Sequence, residues 1–180
     1  MGRSTGFAGI AFLCGGVGWA VVGWAAADTP SDRMFARMRA LAGDWEGTFE
    51  WSGGRSSRGT LKAAYYVTGN GSALVENLIM DGVPTMTTVY HLDGADLRMT
   101  HYCAARNQPR LKAQRIDEAA GSADFAFVDA TNLASNAGHV DHFFIQLLDA
   151  DDVNLKFTFG GGSGKPAVEN IVLRRVRRAG

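Results

Sequence analysis

The sequence predicts an all-β protein, a closed antiparallel up-and-down barrel of about ten strands with one short N-terminal helix capping an end. Turn signals recur at short intervals: Gly53-Gly54, Gly69-Asn70-Gly71, Asp81-Gly82, Asp93-Gly94, Gly121, Asp149-Ala150-Asp151 and the run Gly160 to Gly164. The segments between them are rich in β-formers and alternate apolar with polar residues. Connections this short make successive strands antiparallel neighbours, and such a meander leaves two bare edges unless it closes.

At 180 residues the chain is expected to form one domain. Residues 1–27 stand apart: Arg3 gives a positive start, Phe7 to Ala27 is an apolar run, and Ala25-Ala26-Ala27 supplies small residues before Asp28. This is the pattern of a secretory signal peptide, and it implies a periplasmic or secreted protein. Its rival is a retained membrane anchor, the only route by which a membrane partner enters. Cys14 follows Phe12 and Leu13, where lipidation would want small residues.

Residues 28–43 hold the helix. Ser31 is placed to cap it, Met34, Phe35, Met38 and Leu41 fall on one face, and Gly43 is placed to end it. Residues 44–180 form the barrel, with strands expected at about 44–51, 57–68, 73–80, 84–92, 95–103, 110–117, 122–129, 139–148, 152–160 and 166–176. The longest connection, Ala130 to Gly138, should be a loop at one barrel end.

Without residues 1–27 the chain loses only Arg3, leaving 17 Lys+Arg against 18 Asp+Glu, a net charge of −1. That balance argues against a nucleic-acid partner, because counterion release needs clustered excess cations. The one basic cluster, Arg174, Arg175, Arg177 and Arg178, reads as a solvated last strand and tail. Cys103 is then the one remaining cysteine, so it makes no disulfide within the chain.

Alternation along each strand assigns the interior. Leu97 and Met99 carry His101 and Cys103 inward, and Val153, Leu155, Phe157 and Phe159 share an inward face, as do Phe125 and Phe127. Glu76 shares a face with Leu74, Leu78 and Met80, while Ala73, Val75, Asn77 and Ile79 form an equally plausible inner face. In the eighth strand either His139 or His142 points inward. After the fifth strand, Arg106 to Arg110 are expected at the barrel rim, where Pro109 breaks the pattern.

These residues describe a pocket for a small, partly apolar molecule. Glu76, His101 and Cys103, with Arg110 or His142, would fix its polar end, and Phe125, Phe127, Phe143, Leu155 and Phe157 would contact its apolar part. No catalytic set and no cofactor is expected. The alternative is a metal or haem protein, or an enzyme, that uses His101 and Cys103: at i and i+2 on one strand face both can reach one zinc ion, with His139, His142 or Glu76 as a third ligand.

The stretch "LAGDWEG", Leu41 to Gly47, contains a G-x-W-x-G that resembles the opening of lipocalin-like barrels, and the strand count is similar to fatty-acid-binding-protein and nitrobindin-type barrels. Together with "YHLDG", "MTHYCAARNQPR", "VDATNL" and "GHVDH", it resembles a family of uncharacterised, secreted bacterial lipocalin-like proteins over essentially the whole chain after residue 27. That resemblance implies a barrel whose tryptophan closes the bottom, and it brings no established activity. The nitrobindin pattern adds a further glycine, where this chain has Phe49, and an iron-ligating histidine near the C-terminus, where this chain has none after His142.

Overall fold

In the computed structural model, residues 28–133, 138–161 and 164–177 are described, so the signal-peptide segment lies outside them. Helix α1 (Pro30–Arg39) precedes ten strands: β1 (Gly43–Gly53), β2 (Ser57–Thr68), β3 (Ala73–Met80), β4 (Val83–Asp93), β5 (Asp96–Tyr102), β6 (Gln108–Asp117), β7 (Ser122–Thr131), β8 (His139–Leu147), β9 (Asp152–Gly160) and β10 (Ala167–Arg175). Each strand pairs antiparallel with its sequence neighbours, and β1 pairs with β10, from Trp45 opposite Arg175 to Gly53 opposite Ala167. The sheet is a closed barrel without free edges. Among the described residues no helix is long and apolar enough to cross a membrane.

The cap of α1 is Thr29 rather than the expected Ser31. Thr29 Oγ1 accepts from the Asp32 N–H at 3.2 Å, and Asp32 Oδ2 accepts from the Thr29 N–H at 2.7 Å, a closed capping box. Pro30 takes the first helical position, where a missing N–H costs nothing. Gly43 does not end the helix either: it opens β1 at φ +139°, and a Cβ there would meet the Arg175 guanidinium at 2.9 Å.

Met34, Phe35, Met38 and Leu41 are buried against one barrel end, each contributing about 1.5–3 kcal/mol. Arginines tie the helix to the turns at that end. Arg33 grips the Glu118 carboxylate at 2.6 and 2.7 Å, and Arg37 donates to the Glu118 carbonyl at 2.8 Å. Beneath them Trp45 is buried, its indole N–H donating to the Leu41 carbonyl at 2.8 Å. Arg175 stacks on the Trp45 ring at 4.4 Å while donating to the Ala40 and Ala42 carbonyls. Gly47 lies so close to β10 that a Cβ would come 1.9 Å from the Val172 carbonyl oxygen. The helix end is therefore closed.

The core continues along the axis through Leu61, Leu74, Leu78, Tyr90, Met99, Leu111, Phe125, Phe143, Ile145, Leu155 and Phe157. The rings of Tyr90, Phe125, Phe143 and Phe157 form a continuous stack, with centroids 4.6–6.4 Å apart.

Candidate functional site

Two polar regions interrupt this core. The first is a row across four neighbouring strands, in which Tyr65, Glu76, Thr88 and His101 stand directly opposite one another in turn. The inner face of β3 is thus the one carrying Glu76 with Leu74 and Leu78, and Glu76 is fully buried. Its Oε2 accepts from the Tyr65 hydroxyl at 2.8 Å and the Tyr90 hydroxyl at 2.9 Å. Burial pushes its pKa up to about 7, against the pull of the Tyr65, Tyr90 and Thr88 hydroxyls. His101 Nδ1 and Thr88 Oγ1 lie 2.9 Å apart, and the ring stacks on Phe157 at 5.1 Å. Burial brings His101 down to about 4, so it is neutral at physiological pH. Glu76 Oε1 and His101 Nε2 have no hydrogen-bond partner.

The second region is the barrel end opposite the helix, where a cavity of about 600 Å³ opens. Trp51, Met80, Met86 and Phe159 give its walls apolar surface, and Arg55, Gly138, Gly164 and Lys165 stand at its rim. Glu169 lines the cavity from β10 and is itself fully buried. It lies directly between Trp51 on β1 and Phe157 on β9, and neither of its carboxylate oxygens has a hydrogen-bond partner in regular geometry. Burial raises its pKa to about 7, against a weak hydrogen bond from the Trp51 indole that falls short of regular geometry and the charge of Arg55. Arg55 is held over the Trp51 ring at 4.7 Å.

Cys103 joins this cavity from the residue after β5. Its Sγ accepts from the Ala105 N–H at 3.4 Å, and burial pushes its thiol pKa up. Arg55 opposes that rise and Glu169 adds to it. The cysteine is therefore a neutral thiol at physiological pH, not an activated nucleophile.

The ten residues singled out in the sequence divide among four places. Cys103 alone of them lines the mouth cavity. Glu76, His101, Phe125, Phe143, Leu155 and Phe157 are buried deeper. Phe127 is half-buried and stacks on His139 at 4.6 Å.

Arg110 and His142 need correcting, because both lie on the outer wall. Arg110 does not belong to the rim: β6 already begins at Gln108, alternation turns Pro109 and Leu111 inward, and Arg110 pairs bidentately with Asp129 outside. The rim turn comprises residues 103–107, closed by the Cys103 N–H donating to the Asn107 carbonyl at 3.1 Å. In β8 a register shift between Val140 and His142 sends Val140, Phe143, Ile145 and Leu147 inward. His139 is buried, whereas the His142 side chain is 40% exposed and lies 3.4 Å from Asp124.

Sequence reasoning passed over Glu169, Trp51 and Arg55. A signal for Glu169 existed, since it stands in step with Ala167, Ile171 and Leu173 on an apolar face, as Glu76 does in its own strand. His101 and Cys103 are not joined by a third ligand: among the described residues no group of three or more His, Cys, Asp or Glu side chains is placed to hold a metal ion.

No protein-family model matches the chain, and no curated protein matches it. Solved structures do. Rv2717c from M. tuberculosis superposes with a TM-score of 0.53 at 15% identity, over 80% of this chain and 98% of that one. A protein of unknown function from the DUF3598 family of Nostoc punctiforme gives 0.51 at 11% identity, over 76% of this chain. The match covers 48% of that protein, so this chain corresponds to about half its length. At these identities the likeness is one of fold, and the chain shares with these proteins a closed antiparallel barrel that is lipocalin-like in outline.

Proposed function

We propose that this protein is an exported binding protein of the lipocalin-like family that takes a small, partly apolar molecule into the open end of its barrel. One observation carries the reading: a cavity of about 600 Å³, within the usual range of small-molecule sites, is floored by a fully buried carboxylate that no donor of the described residues meets in regular hydrogen-bond geometry. A carboxylate out of water costs several kcal/mol unless something hydrogen-bonds to it. A barrel filled only for stability would place an apolar side chain there. The ligand's polar end is assigned to Glu169 with Cys103 alongside, and its apolar part to Trp51, Met86 and Phe159. Glu76, His101 and the buried phenylalanines support that floor from below. Export rests on the signal-peptide pattern of residues 1–27, and the near-neutral charge speaks against a nucleic-acid partner.

Native mass spectrometry of protein purified without denaturation tests this. A bound species of defined mass is expected on the wild type and not on Ala167→Phe, in which a ring occupies the cavity floor. A wild type that carries nothing, and that binds apolar probes no better than Ala167→Phe does, removes the reading.

A further inference from the structure

The charges around the mouth say more about the ligand than its size does. Glu169 lies between Trp51 and Phe157, which are uncharged, and lines the cavity. Among the described residues, the other titratable groups lining the cavity are Arg55 from the β1–β2 connection, Cys103 from the β5–β6 turn and Lys165 from the β9–β10 connection. Both cations are exposed, so water and salt screen their fields. The buried carboxylate acts through a medium of low polarity and dominates at the floor. It offers four lone-pair directions and, in the free protein, the Trp51 indole is the one donor beside them, short of regular hydrogen-bond geometry.

We infer that the mouth recognises its ligand by a protonated nitrogen, an amine carried on an apolar body, with the ammonium seated on Glu169 and the body lying against Trp51, Met86 and Phe159. The inference rests on the proposed binding at this mouth and specifies its chemistry. An acid head group meets the buried negative charge and is rejected; an alcohol supplies one donor and no charge. The ammonium supplies up to three donors and the compensating charge, which removes the cost of burying Glu169.

Three probes with one body and different heads decide it: 4-phenylbutylamine, 4-phenylbutanol and 4-phenylbutyrate, titrated into the full-length purified protein and followed by chemical shifts of the mouth residues. At a pH of about 8 the amine is expected to bind about tenfold or more tighter than the alcohol, with the acid weakest. In Glu169→Gln that preference collapses to about the level of the alcohol, and shifts of the same mouth residues on adding the alcohol report an intact cavity. Ammonium binding requires the ionised carboxylate, whose pKa in the free protein is raised to about 7. Amine affinity should therefore fall roughly 30-fold between a pH of about 8.5 and about 5.5 in the wild type, and stay flat in the variant. Equal binding of the three heads, or tightest binding of the acid, overturns the amine assignment and leaves the cavity as a binding site. Binding of none of them at the mouth removes both readings.

Discussion

Glu76 and Glu169 are both out of water on the inner wall of one barrel, and burial raises both to about 7. Their surroundings differ. Two tyrosine hydroxyls converge on Glu76, which sits in a row of polar side chains running across four strands. Glu169 is flanked by a tryptophan and a phenylalanine, has at most the Trp51 indole as a donor, short of regular hydrogen-bond geometry, and lines a cavity. The same residue type, out of water in both places, thus has two settings. One glutamate is held by hydroxyls of the packed interior, and the other lines the cavity proposed to take the ligand. A buried acid becomes informative about function once its partners are counted, because a satisfied carboxylate is already explained by the fold.

The sharpest way to break this contrast is to make both positions apolar. Glu76→Leu leaves the Tyr65 and Tyr90 hydroxyls buried without an acceptor, at about 2 kcal/mol each, so a loss of roughly 4 kcal/mol in urea unfolding is expected. Glu169→Leu removes only a weak acceptor from the half-exposed Trp51 indole and should leave stability unchanged or raise it. Equal destabilisation by the two changes would show that Glu169 has partners in the free protein.

The pH dependence of stability sharpens the comparison further. The pKa of Glu169 lies above its ordinary 4.5 in the folded state, at about 7, so the folded chain holds that proton more tightly than the unfolded chain does. Its contribution is full below about 4.5 and is lost as the pH rises through about 7, by at most about 3 kcal/mol. His101 has the opposite sign: its folded value of about 4 lies below the ordinary 6.5, so its contribution disappears as the pH falls across that interval. Subtracting the stability profile of Glu169→Gln from that of the wild type isolates the glutamate. A flat difference between a pH of about 4.5 and about 7 would mean that Glu169 ionises normally.

The smallest effects belong to the outer wall. Arg110→Ala removes a pair whose arginine side chain is 54% exposed and screened by water, so the urea midpoint should stay close to that of the wild type. Both Arg110→Ala and His142→Ala should leave phenylbutylamine affinity at its wild-type value, and a marked loss with either would move the site away from the mouth.

The sequence by itself determined the barrel, the helix on its end and the inward facing of His101 and Cys103. These follow from local rules, because turn residues recur where the chain must reverse and period-two alternation marks the buried face. Alternation also narrowed Glu76 to one of two faces. Only the tertiary structure decided between them, since the Tyr65 and Tyr90 hydroxyls that make its burial tolerable come from two other strands. Local rules failed where register slips. Alternation leaves either His139 or His142 inward; the irregularity between Val140 and His142 decides it, and nothing in "GHVDH" announces it. Arg110 was misplaced because Pro109 looked like the end of a turn; in the barrel β5 pairs with β6 only from Arg110 onward, so the proline lies beyond that ladder. Likewise, the neighbours of Glu169 were fixed only when β10 closed against β1. Local periodicity sets which way a side chain points, but whether a buried charge meets a partner or an empty cavity depends on strands far apart in sequence.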